Sequence, residues 1–90
     1  MFTYLVIDEA DNKSAPFIMS MEQIAEYVVA TFPVGAAVPL RVYRLLPKQE
    51  PQRMYLDRCN VHTPAGFIPR AIEIRDRYHN IQDMFTFKTA

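Results

Sequence analysis

The sequence predicts a small two-layer α+β domain: a β-α-β-β run followed by a C-terminal helix (or hairpin) and a short strand. Three observations carry that expectation. The chain opens on an apolar, β-branched and aromatic run, Phe2 to Asp8. A helix start signal, Ser20 with Gln23, introduces an amphipathic stretch. Two runs of alternating hydrophobicity follow, joined by a short polar connection. Seven prolines (Pro16, Pro33, Pro39, Pro47, Pro51, Pro64 and Pro69) punctuate the chain. Because proline breaks helix interiors and cannot donate to a ladder, the elements should lie between them.

Phe2 to Asp8 (FTYLVID) reads as a central strand covered on both faces, or covered on one with its edge wrapped. Asp8 to Ala15 is then a polar turn. At Ser20 the hydroxyl can accept from the Gln23 amide while the glutamine side chain reaches back to the Ser20 amide, with Met19 and Ile24 placed as a hydrophobic staple. The stripe formed by Ile24, Tyr27 and Val28, with Glu22, Gln23 and Glu26 opposite, predicts a helix over Met21–Phe32, stopped by Pro33 and Gly35. Leu40–Leu46 and Arg53–Val61 follow as an antiparallel hairpin across the turn Pro47–Gln52. Alternation places Leu40, Val42, Met54, Leu56 and Leu45 on one side, and Arg41, Tyr43, Tyr55 and Asp57 on the other. His62 to Pro69 reads as a loop. In Arg70 to Ala90 the positions Ala71, Ile74, Tyr78, Ile81 and Phe85 recur at helical spacing, so a helix is preferred; alternation at Ile72 and Ile74, with a turn at His79-Asn80, would instead make a hairpin.

Ninety residues, half of them hydrophobic and 22% charged, suit one domain spanning 1–90 and no second core. The expected folded surface is roughly 5,400 Å². One cysteine excludes an internal disulfide framework. The longest uncharged stretch, Tyr27 to Leu40, has fourteen residues and two prolines, whereas a membrane helix needs about 20. The N-terminus lacks a basic region and meets Asp8 and Glu9 early, unlike a signal peptide. A soluble, cytoplasmic protein with Cys59 as a free thiol is expected. The formal net charge of zero argues against a polycationic nucleic-acid binder. It conceals a polarity: residues 1–40 set Lys13 against five acids, a net of −4, while residues 41–90 set nine bases against five acids, a net of +4. Opposed halves of this kind also allow self-association as a homodimer.

The string Leu5-Val6-Ile7-Asp8-Glu9-Ala10-Asp11 resembles the acidic motif of the DEAD-box helicases, where the aspartate binds magnesium and the glutamate positions the attacking water. Their chemistry also needs a phosphate loop, and the two glycines of this chain, Gly35 and Gly66, form none. Cys59 and His62 have C-x-x-H spacing, but a structural zinc site wants four ligands, usually in two close pairs, so no metal and no other cofactor is expected. The carboxylates Asp8, Glu9 and Asp11 sit in a polar turn rather than in a buried pair able to do acid/base work. A Cys59 nucleophile would need a base and an oxyanion hole that the spacing does not supply. No enzyme is therefore predicted.

What remains is a surface. Arg41, Tyr43, Arg53 and Tyr55, joined by Arg44 or Arg58, can share a hairpin face that the core does not need. Arginine and tyrosine anchor protein interfaces, and arginines interleaved with aromatics also serve single-stranded nucleic-acid platforms. The expectation is a non-enzymatic protein-binding module, an inhibitor or adaptor acting by surface occlusion; a single-stranded nucleic-acid-binding sheet is the alternative. In size and architecture the chain resembles the small inhibitor proteins of bacteriophages and mobile elements, such as the anti-CRISPR proteins. No motif carries that likeness, and no residue role is transferred with it.

Overall fold

The computed structural model describes residues 1–11 and 15–88, so part of the turn expected over Asp8–Ala15 lies outside the described residues. In chain order the elements are β1 (Thr3–Asp8), β2 (Phe17–Ser20), α1 (Met21–Thr31), β3 (Leu40–Leu45), β4 (Gln52–Thr63), β5 (Gly66–Arg75) and β6 (Ile81–Thr86). The six strands form one antiparallel sheet in the order β2-β1-β3-β4-β5-β6. The fold is thus mixed α+β and mostly sheet. Two parts of the expected order need correction.

First, β2 intervenes between β1 and the helix. Phe17–Ser20 is only four residues long, and it pairs with β1 through Thr3 opposite Ser20 and Val6 opposite Phe17. Its last residue doubles as the helix cap, so the strand hides inside what reads as a helix lead-in. The cap itself is as expected: the Gln23 amide donates to Ser20 Oγ at 3.2 Å, and the Ser20 amide donates to Gln23 Oε1 at 2.9 Å. Helix α1 ends one residue earlier than expected, with Phe32 as its C-cap.

Second, the C-terminal helix does not form; the segment is a strand meander. Ile72 and Ile74 are fully buried on one side of β5, opposite Phe85 and Asp83 of β6. Tyr78 is 65% exposed in the β5–β6 turn, so the helical spacing through it marks no buried stripe. The loop expected over His62–Pro69 is also mostly strand. β4 runs on to Thr63, and β5 starts at Gly66, whose φ of 118° suits a residue without a Cβ. Pro69 is accommodated because the β4–β5 register slips beside it, from Cys59 opposite Ala71 to Asn60 opposite Pro69.

The core lies between α1 and the inner face of the sheet. Ile24, Ala25 and Val28 of the helix pack with Tyr4, Val6, Val42, Met54, Ile72 and Ile74, all essentially solvent-free. Each such aliphatic side chain contributes about 1.5–3 kcal/mol on burial. The sheet curls around this core. The Tyr4 hydroxyl donates to Asp83 Oδ2 at 2.6 Å, joining β1 to β6, and α1 touches the two edge strands, β2 and β6. Burial and the bond to Asp83 push the Tyr4 phenol well above its ordinary range. The β4–β5 hairpin extends the molecule to 47 × 30 × 22 Å, and its surface, 6254 Å², exceeds the scaling value.

Strand order also settles where the charge polarity goes. Residues 1–40 supply β2, β1 and α1, and the basic half supplies β4, β5, β6 and all but the first residue of β3. Along the sheet the two halves do not interleave.

Candidate interaction surface

Side chains alternate across a strand, and paired residues share a face. The β3–β4 register sets Val42 against Met54 on the core side and Tyr43 against Arg53 on the other. Arg41, Tyr43, Arg53 and Tyr55 therefore stand together on the outer, convex face. Among the described residues no helix or second sheet covers it. Leu45, opposite Thr3, belongs to this face as well rather than to the core.

Arg44 and Arg58 do not join them. Both occupy even positions and point to the inner side. Arg44 lies over the Phe2 ring at 4.7 Å, donates twice to Gln52 Oε1, and reaches Gln82 Oε1 on β6 at 3.4 Å. Arg58 Nη1 donates to the Phe32 and Pro33 carbonyls at 3.3 and 2.8 Å. A cation there meets the carbonyl end of α1, where helix partial charge favours it. These two arginines are parts of the architecture.

The outer arginines differ in how they are neutralised. Arg41 pairs with Glu9 at 3.1 Å; hydrogen bonding to Tyr43 and the Glu9 charge raise its pKa further. Arg75, also on this face, pairs with Glu73 at 2.8 Å and Asp57 at 3.5 Å. Arg53 has no ion-pair partner among the described residues. Its guanidinium carbon sits 5.0 Å from the Tyr55 ring centre and 5.8 Å from that of Tyr43, and its Nη1 is buried without an acceptor. Aromatic faces attract a guanidinium but leave its N–H groups unsatisfied.

Beside Arg53 the surface opens into a cleft of about 420 Å³, lined by Gln52, Arg53, Tyr55, Asp76, Arg77 and Tyr78. The strand pairing explains it. β4 pairs with β3 over Gln52–Met54 and with β5 from Tyr55 onward, and β5 ends at Arg75. The chain then turns through Asp76 to Asn80, leaving a gap opposite Arg53. Asp76 holds that turn: its Oδ1 accepts from the Tyr78 and Asn80 amides at 2.8 and 3.0 Å. The Asn80 bond first, and the Tyr78 bond after it, hold the Asp76 carboxyl below its usual range. Arg77 lies over the Tyr78 ring at 4.9 Å and donates to its hydroxyl, again with no ion pair among the described residues.

Sequence reasoning overlooked Arg77 and Tyr78, because a tertiary turn brings them beside β4. The usable signal was the Asp76…Asn80 spacing, which suits a side-chain-capped turn.

The sites of competing chemistry have other occupations. Asp8, at the head of the helicase-like string, accepts from the Tyr27 hydroxyl at 2.8 Å and the Ala10 amide at 3.0 Å. Cys59 lies against Glu73, and burial, then this neighbour, pushes its thiol pKa up, opposite to what a nucleophile needs. The His62 ring packs on Phe67 at 4.8 Å. Among the described residues no group of three or more His, Cys, Asp or Glu converges as metal ligands, and no helix is long and apolar enough to cross a membrane. The sequence matches no protein-family model and no curated protein, and the fold matches no solved structure.

Proposed function

We propose that this chain is a non-enzymatic protein-binding module, an inhibitor or adaptor that occludes a partner's surface with the convex face of its sheet. The observation that carries the reading is Arg53: a guanidinium held between Tyr43 and Tyr55, without an ionic partner among the described residues, on a face left uncovered. Arginine and tyrosine together supply large, stiff, amphipathic contact area at the centre of protein interfaces. A standard interface of about 800 Å² per partner is roughly an eighth of this molecule's 6254 Å².

Protein binding is favoured over single-stranded nucleic acid because Arg53 already occupies ring faces of Tyr43 and Tyr55 on which bases would stack. The raised thiol pKa of Cys59 fits the non-enzymatic reading. The test is affinity capture from the native host lysate with the wild-type chain and Tyr55→Ala, whose side chain is half exposed and outside the core. A protein retained by the wild type and lost by the variant, at unchanged melting temperature, supports the proposal. Identical retention by both, or binding of single-stranded oligonucleotides that weakens steeply with salt, overturns it.

A further inference from the structure

We infer that the cleft between β4 and the β5–β6 turn receives a carboxylate from an acidic segment of the partner protein, held by Arg53 and Arg77. The inference rests on the protein-binding reading and names the class of partner. Its warrant is the contrast among the arginines of the outer face and of the β5–β6 turn beside it. Arg41 is neutralised by Glu9, and Arg75 by Glu73 and Asp57. Arg53 and Arg77 have no ion-pair partner among the described residues, and these two line one concavity of about 420 Å³.

The one acid in that cleft is committed elsewhere. Asp76 Oδ1 accepts from two backbone amides, and Oδ2 from the side chains of Asn80 and Gln82. Its lone pairs are turned to the β5–β6 turn, so the local balance stays positive, two guanidiniums against one carboxylate. Arg58 also keeps buried nitrogens without acceptors, but its Nη1 is spent on the end of α1. Exposed Arg70 also lacks an ion pair among the described residues, but the concavity it lines contains the Glu73 carboxylate; the Arg53–Arg77 cleft brings two such guanidiniums to one open mouth. Tyr55 and Tyr78, 46% and 65% exposed, give an incoming acidic side chain aromatic walls for its stem. A guanidinium recognises a planar carboxylate through parallel N–H donors, and on an aromatic wall that contact is partly desolvated and strengthened.

The experiment follows backbone amide shifts of the whole isotope-labelled chain during titration with three probes: a hexaglutamate peptide, a hexaglutamine peptide and a six-nucleotide oligothymidylate. The expected result is that hexaglutamate shifts the amides of Arg53, Tyr55, Arg77 and Tyr78, and that hexaglutamine does not. The pair Arg53→Gln with Arg77→Gln should weaken hexaglutamate binding about tenfold or more, about 1.4 kcal/mol, whereas Arg41→Gln, already neutralised, should leave it within about twofold. Equal weakening by Arg41→Gln, or shifts spread over all surface arginines, overturns the inference. Should the glutamine pair not fold, salt decides on the wild-type chain: hexaglutamate binding that drops steeply toward about 0.5 M salt supports a charge-held site, and binding indifferent to salt overturns it. The two readings fail separately. A lysate protein lost on Tyr55→Ala but kept by the glutamine pair would leave the protein-binding module standing without its acidic partner class. Oligothymidylate binding the same amides more tightly than hexaglutamate would overturn both.

Discussion

Arg53 and Arg58 lie on one strand, five residues apart, and have opposite fates. Arg58 faces inward and donates to the carbonyls that close α1; Arg53 faces outward, rests on two tyrosine rings and meets no carboxylate among the described residues. The same contrast runs across the whole sheet. The inner face carries Tyr4, Val42, Met54, Ile72 and Ile74 under the helix, while the outer face carries Arg41, Tyr43, Arg53 and Tyr55 with no helix or second sheet upon them among the described residues. Strand parity, not residue type, decides whether an arginine here is structure or surface.

The largest expected effect breaks the comparison at its centre. Ile72→Ala on the inner face should cost about 2–5 kcal/mol of unfolding free energy in urea, because it leaves a cavity under α1, while Tyr55→Ala on the outer face should stay within about 0.5 kcal/mol. Comparable losses from both would mean that the outer face is covered in solution. Next comes the bond that draws the sheet's ends together. Tyr4→Phe leaves Asp83 without its hydroxyl donor and should cost about 1–3 kcal/mol, read as a lower denaturant midpoint at unchanged slope. Ser20→Ala removes one half of the capping box and should cost about 1 kcal/mol. Smallest is an acid effect at the cleft. The folded-state pKa of Asp76 is depressed, so its contribution is fully present above the unfolded-state value and is lost as pH falls through the folded one. Amide exchange at Tyr78 and Asn80 should accelerate over that acid window before exchange at Ile72 does.

The helix was readable because its signals are local: a reciprocal cap and a stripe at Ile24, Ala25 and Val28. The β3–β4 pair was readable from alternation, but grouping Arg44 or Arg58 with Arg41 and Tyr43 went against that same alternation, since even and odd positions of a regular strand take opposite faces. β5 was obscured because Ala71, Ile74, Tyr78, Ile81 and Phe85 satisfy a helical period by chance of spacing, and a pleated strand buries Ile72 with Ile74 instead. Pro69 read as a breaker because the register slip that accommodates it is a pairing event, visible only with β4 alongside. For the cleft, neither wall predicts the other: Arg53 and Arg77 converge because β4 changes partner at Tyr55.

The strand order bears on how the chain reaches this shape. β3 to β6 are joined by successive hairpins, so each pairing closes a short loop and can zip soon after its neighbour. β1 is different: Asp8 stands opposite Leu40, with β2 and the whole of α1 in the loop between them. Closing that loop loses chain entropy before its contacts repay it. Loop closure therefore predicts that the β1–β3 seam forms late, so that Val6→Ala should act chiefly by hastening unfolding while the refolding rate stays close to that of the parent chain.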